Sequence, residues 1–196
     1  MGNIASKQYP RITQLRAITT DTHQSLDDKV MSYEPFESNE NYINFLRFQH
    51  KLMEKVAPLY QNKQLTTVFN DLGSRCRLNY LELDLTDFNQ PVSSINNDEV
   101  NALSLPAAIG WLYVIEGSKL GAAILAREVG KLNLTGEFGA RFLAGPGSGG
   151  GSAWREFMQS VELLDFSESE EKTMLDGAKD AFLYAHHCVD NVLANA

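Results

Sequence analysis

Leu105-Pro106-Ala107-Ala108-Ile109-Gly110-Trp111-Leu112-Tyr113-Val114-Ile115-Glu116-Gly117-Ser118-Lys119-Leu120-Gly121-Ala122-Ala123 lies within an apolar run, Ala102 to Ala126, long enough to suggest a bilayer span. Glu116 and Lys119 sit near its middle, and a central lysine alone costs about 2.5–3.5 kcal/mol on insertion. The run therefore reads as the buried helix of a soluble protein. Pro106, just after Ser104, opens it, and the pattern persists to about Leu132. Gly110, Gly117, Gly121 and Gly130 fall inside it, each costing a helix about 0.5–1 kcal/mol relative to alanine. Gly117 and Gly121 are four apart and open one side as bare backbone. That strip suits either close packing against another helix or the approach of a flat ligand. Gly117-Ser118 is also a place for a kink.

Outward from this run the chain is helical almost throughout. Ile12, Leu15, Thr19, Thr22, Leu26 and Val30 recur at helical spacing. Asn39 is a candidate N-cap for a second helix carrying Tyr42, Phe45, Leu46, Gln49, Leu52, Met53 and Val56, which stops at Pro58. A third runs from about Gln64 into the Leu81 region, and Thr86 to Asp98 reads as a loop. Thr135-Gly136 breaks the pattern after the long helix, and Gly145 to Ser152 reads as a glycine-rich loop. Trp154, Phe157, Met158, Val161 and Leu164 mark a shorter helix. Ser167 with Glu170 has capping-box spacing, opening a last helix through Met174, Ala178, Phe182, Ala185, Val189 and Val192. No run alternates with period two. The fold class is all-α, one domain over residues 1–196, with 1–11 expected as a flexible N-terminus.

Composition agrees. The chain has 196 residues, 43% apolar and 21% charged, which excludes disordered, collagenous and disulfide-scaffold classes. Its formal net charge of −8 makes nucleic acid and anionic lipid poor partners. Cys76 and Cys188 lack paired spacing and read as buried apolar residues of a reducing, cytoplasmic compartment.

Three motifs lose to blander readings. Gly145-Pro146-Gly147-Ser148-Gly149-Gly150 satisfies GxGxxG, but no strand precedes it and no βαβ unit surrounds it, so a connector wins. His186, His187 and Asp190 offer at most two metal ligands on one face, short of a site, and read as a solvated helix end. Met1-Gly2-Asn3-Ile4-Ala5-Ser6 matches the myristoylation pattern, a match common by chance. No leader with a cleavage site follows it.

His23 resists dismissal when paired with the long helix. A histidine on an early helix and a glycine-stripped later helix make a slot, with an iron ligand on one wall and bare backbone on the other. That arrangement suits haem held axially by a neutral imidazole.

The segment Tyr113 to Ala123 resembles the distal helix of bacterial haem oxygenases, and Thr22-His23-x-x-Leu26 resembles the stretch carrying their proximal ligand. Phe142-Leu143-Ala144-Gly145-Pro146 and Trp154-Arg155-Glu156-Phe157 resemble the following loop and helix, so the likeness spans most of the chain from Ile12 onward. It implies haem as both substrate and cofactor, with iron ligated by His23, and oxidation by O2 to a biliverdin with release of iron and CO. Gly117 and Gly121 would lay helix backbone over the oxygen-binding face and direct attack to a meso carbon. Gln49, Arg77 and Trp154 match positions holding a distal water network. Arg16 and Tyr113 match positions that hold the propionates and set the macrocycle's rotation, and a cation with a phenol there resembles the members producing biliverdin IXα. Ser118 stands where mammalian-type enzymes place aspartate, which puts the chain with the iron-acquisition branch and leaves water ordering to other groups. His23 is expected to lack a strong anionic partner. Electrons would come from a ferredoxin or flavodoxin reductase system, and the enzyme would be a cytoplasmic monomer. The rival readings are a haem-storage protein, which would keep His23 without needing both glycines, and a non-haem helical bundle, which would need no ligand at position 23.

Overall fold

Side-chain caps at Ser38, Asn62 and Ser167 each start a helix. The structure, a computed structural model, describes residues 9–92, 100–146 and 150–194. Its helices are α1 (Pro10–Met31), α2 (Asn39–Val56), α3 (Lys63–Val68), α4 (Leu78–Asp87), α5 (Leu105–Ser118), α6 (Ala122–Gly130), α7 (Arg141–Ala144), α8 (Gly150–Glu162) and α9 (Glu168–Val192). Tight 3-10 turns cover Ala57–Gln61, Leu72–Arg75 and Val100–Ala102. Among the described residues there is no β-strand, only isolated bridges from Thr135 to Phe138 and Gly139. Pro10 opens α1, where its missing N–H costs nothing. Ser167 closes the capping box with Glu170 at the start of α9.

Four boundaries differ from the sequence reading, each for a physical reason. Ser38, not Asn39, caps α2: its hydroxyl accepts from the Asn41 N–H at 3.1 Å, while Asn39 is already helical. The expected third helix is two helices, because Phe69 is extended and Asp71 takes a left-handed φ of 58°. Asn70 and Asp71 are turn formers, and the three β-branched residues before them weaken helix propagation. The long apolar helix divides into α5 and α6 at Lys119-Leu120-Gly121, the kink foreseen beside Gly117-Ser118. The glycine-rich loop is shorter than expected, since Gly150, Gly151 and Ser152 already belong to α8; residues 147–149 lie outside the described residues. The same is true of residues 1–8, which hold the myristoylation-like start. Pro10 and Arg11 are not part of a loose terminus: Arg11 donates to the carbonyls of Val161 and Glu162 at 2.8 and 3.1 Å and pairs with Glu171.

α5 and α9 form the centre. A Cβ on Gly110 would lie 2.7 Å from the Ala178 nitrogen and closer still to the Met174 carbonyl, while one on Gly177 would lie 2.9 Å from Ala107 Cα. The two helices therefore meet backbone to backbone. Ile109, Leu112, Ala178, Ala181 and Ala185 are buried beside this contact. Thus Leu105–Gly130, the one described stretch long and apolar enough to cross a membrane, lies largely within the core. α1 runs parallel to α9, contacting it in matching order through Arg11–Glu171, His23–Phe182 and Lys29–Asp190. A stacked aromatic group, Phe69–Phe157–Trp154, packs α8 against the segment after α3, with ring centroids 4.7 and 5.5 Å apart.

Both cysteines are free. Burial pushes the Cys188 thiol from 9.0 up to about 11, opposed by a Tyr184 hydrogen bond and by Lys51 and Lys55. The unfolded chain ionises this thiol first, so its contribution to stability is present below about pH 9 and is lost as pH rises toward about 11. Urea denaturation across that range should show a falling midpoint, and Cys188→Ala should flatten the fall.

The crossing makes a sharper prediction. Gly110→Ala and Gly177→Ala should each destabilise by about 2–3 kcal/mol or more, because the added carbon meets backbone that has no rotamer escape. Gly130→Ala, whose Cβ would meet nothing within 4 Å, should be neutral or stabilising. Thermal denaturation of the three proteins checks the contrast.

Candidate functional site

The glycines of the long apolar segment divide by role. Gly110 packs on α9, whereas a Cβ on Gly117 would meet only the edge of the Trp154 ring, at 3.5 Å and beyond. At Gly121 the nearest atom is the Ser118 carbonyl oxygen, at 3.7 Å. No neighbouring helix requires glycine at either place. The bare strip is an open face, and close packing against another helix does not explain either glycine.

His23 lies on α1 with its side chain 56% exposed. Its ring meets Phe182 of α9 edge-on at a centroid distance of 5.8 Å. The Nδ1 atom is 3.1 Å from a carboxylate oxygen of Asp27, one turn further on, leaving Nε2 on the opposite side of the ring. Asp27 is thus an anionic neighbour that the sequence reading did not name, though solvent screens it and it does not make the strong partner that reading excluded. The spacing His23-x-x-x-Asp27 places the two on one helix face and was legible in the sequence. Burial raises the Asp27 carboxyl pKa, His23 draws it down, and Asp28 raises it again. His186 of α9 brings Nε2 to 3.4 Å from the Thr22 carbonyl, so it faces α1 instead of forming a solvated helix end. Among the described residues no group of three metal-ligating side chains occurs.

Several of the other sequence-predicted residues converge. The Tyr113 phenol is hydrogen-bonded with Thr19 and lies in the field of Arg16, both on α1; burial raises its pKa, and these two neighbours oppose the rise. The Tyr113 and Trp154 rings are 5.6 Å apart, so Arg16, Tyr113, Trp154 and Gly117 form one continuous wall. Ser118 donates to the Ile115 carbonyl of its own helix at 2.8 Å, which occupies its proton locally. Gln49 is half-buried on α2 and makes no hydrogen bond to Arg77 or Trp154 among the described residues.

Arg77 belongs to a cluster that the sequence did not reveal. Its guanidinium is buried, and burial lowers its pKa against the pull of Glu116, Tyr60 and Tyr80. It donates to the Phe142 carbonyl at 2.9 Å. Gly145, at φ 62°, runs so close that a Cβ would stand 2.5 Å from an Arg77 nitrogen, so this turn needs glycine for both conformation and space. Buried Glu116 accepts from the Tyr60 hydroxyl at 2.6 Å and pairs with Lys119. The next segment is pinned by buried Asp84, which accepts from the backbone N–H groups of Arg141 and Phe142, both at 2.9 Å.

The His23–Asp27 pair, the open glycine strip and the Arg16–Tyr113 neighbourhood lie on α1 and along the α5–α6 segment, the two stretches singled out in the sequence. A sequence profile of the heme oxygenase family matches residues 11–191. The chain belongs to the haem oxygenase family, enzymes that degrade haem to biliverdin. It is 38% identical to heme oxygenase PigA of Pseudomonas aeruginosa over 179 residues, covering 91% of this chain and 90% of that one. With a heme oxygenase of Xanthomonas campestris pv. campestris it shares 29% over 152 residues, 76% of this chain and 89% of the relative. The NO- and CO-bound heme oxygenase of Neisseria meningitidis superposes with a TM-score of 0.86 at 34% identity, covering 94% of this chain and 92% of that one.

Gly117→Ala and Gly121→Ala should fold with stability within about 1 kcal/mol of the parent, because the added carbons meet no backbone wall. Both should bind haem with an altered Soret band and slow its degradation. Thermal denaturation of the apoprotein beside hemin titration separates these effects from those at Gly110.

Proposed function

We propose that this haem oxygenase holds its substrate between α1 and the α5–α6 segment, with His23 Nε2 as the iron ligand. The observation that carries the reading is the exposed His23–Asp27 pair, in which the carboxylate lies at Nδ1 and leaves Nε2 as the nitrogen for iron. Bound haem supplies the iron centre that activates O2 and is itself the molecule oxidised. The protein's own residues do the rest. Asp27, with a carboxylate oxygen 3.1 Å from Nδ1, offers an acceptor that favours the tautomer protonated there. At 57% exposure the carboxylate is shared with water, which tempers its push on the imidazole. The backbone at Gly117 and Gly121 comes near the distal face where any side chain would intrude. Trp154 closes one end of that face, and Gln49 and Arg77 contribute donors to an ordered distal water network. Arg16, beside the Tyr113 phenol, neutralises propionate charge and sets the rotation of the macrocycle.

That rotation favours oxidation at the α-meso carbon and hence biliverdin IXα. The enzyme acts as a single-domain, cytoplasmic monomer and serves iron acquisition, with a ferredoxin or flavodoxin reductase system as electron donor. In a chain of net charge −8 the local cation matters, since a dianionic porphyrin meets an unfavourable global field.

Incubation of the hemin complex under air with a ferredoxin-type reductant and catalase should bleach the Soret band as biliverdin absorbance rises. A stable spectrum would favour storage over turnover. Chromatography should then give the IXα isomer, and mostly β and δ isomers would overturn that assignment. His23→Ala should lose the axial-ligand spectrum and turnover together, while Asp27→Ala should weaken haem affinity or turnover about tenfold.

A further inference from the structure

The turn between the two site glycines is held from behind. Lys119 lies between Gly117 and Gly121, where α5 has ended and α6 has not begun. Its side chain is only 11% exposed and is directed into the protein. There Nζ donates to the Arg75 carbonyl at 2.8 Å, lies 3.3 Å from the Tyr60 hydroxyl, and pairs with Glu116. The ammonium also sits 5.1 Å from the centroid of the Tyr60 ring, a cation–π distance. One cation thus ties the broken turn to the Leu72–Arg75 turn, 44 residues earlier, and to the last residue of the Ala57–Gln61 turn but one.

The turn has little else to fix it. Its own backbone bonds, Leu120 N–H to Gly117 O, Gly121 N–H to Ser118 O and Ala122 N–H to Lys119 O, are 3.1, 3.2 and 3.3 Å long. Ser118 and Leu120 are exposed, and Gly117 and Gly121 offer no side chains to pack. A buried ammonium is expensive unless every proton is used, and here three acceptors surround it. Charge balance alone would not require this arrangement, because Arg77 also acts on Glu116.

Resting on the haem placement proposed above, we propose that Lys119 is a positioning residue for haem oxidation: by anchoring the Ser118–Gly121 turn to the Arg75 carbonyl and Tyr60, it sets the height of the Gly117 and Gly121 backbone above the substrate. Glu116 is the counter-ion that lets the ammonium stay buried, and the Arg75 carbonyl is the geometric anchor.

Lys119→Met keeps most of the side-chain length and removes the anchor. In the apoprotein, amide exchange at Leu120, Gly121 and Ala122 should accelerate, with α9 amides unchanged. In the hemin complex, kcat should fall about tenfold, with KM for haem changing far less, since a small misplacement of the reacting face costs rate before affinity. The C–O stretch of the ferrous carbonyl complex should also shift, reporting altered surroundings on the distal side.

Removal of Lys119 leaves Glu116 buried without its nearest cation, so loss of stability could mimic the effect. Glu116→Gln combined with Lys119→Met deletes both charges, a replacement that buried pairs often tolerate. The double variant should recover thermal stability yet keep the fast turn exchange, the shifted C–O stretch and the low kcat. Recovery of kcat and the C–O stretch along with stability would overturn the proposal and leave Lys119 as a charge compensator. Parental turn exchange in either folded variant would overturn it equally.

Discussion

The backbone contact of α5 with α9 is the constraint on which the other features depend. At Gly110 and Gly177 neither helix has room for a side chain, so the two backbones meet directly. Everything in the candidate site is measured from this crossing. α9 places Phe182 beside His23, and α5 carries Tyr113 about one turn and Gly117 about two turns along from Gly110. The glycine cost within the α5 and α9 helices is offset by burial of the apolar residues around the contact. A rigid seam at one end of α5 gives way to an unpacked face at the other, within eight residues of one helix.

Polar groups do comparable work where the apolar core stops. Asp84 satisfies the N-terminal amides of α7, a helix of four residues that could not stand alone. Glu116, Lys119, Tyr60 and Arg77 fill the space beneath the turn between α5 and α6 with partnered charge. Such a cluster does not need to add stability over an apolar filling; its directional bonds specify one arrangement of segments that apolar packing would leave free to slide.

The sequence was most informative where function and fold use short spacings. His23, Gly117, Gly121 and Trp154 lie in local patterns, and the structure places Trp154 against Gly117 and leaves the glycine strip open. Asp27 needed only the four-residue helical spacing. The buried cluster could not be read in this way, because Lys119 meets partners 44 and 59 residues away that carry no mark in their own segments. Its charges served only to argue against a bilayer span. Gly177 was hidden for the same reason: a small residue among alanines declares its purpose only when the facing helix is known. The misread boundaries, at Ser38 and Asp71, depended on single backbone dihedrals that compete closely in a short peptide.

The parallel pairing of α1 with α9 has a temporal consequence. Arg11 and Glu171 are 160 residues apart, yet they secure the start of the helix that carries His23. During synthesis α1 emerges early and waits, without its packing partner, until nearly the whole chain has followed. His23 meets Phe182 only then, in one of the last contacts that folding makes. A nascent chain therefore exposes the His23 imidazole long before α9 arrives to pack beside it, and the paired face of α1 belongs to the finished molecule.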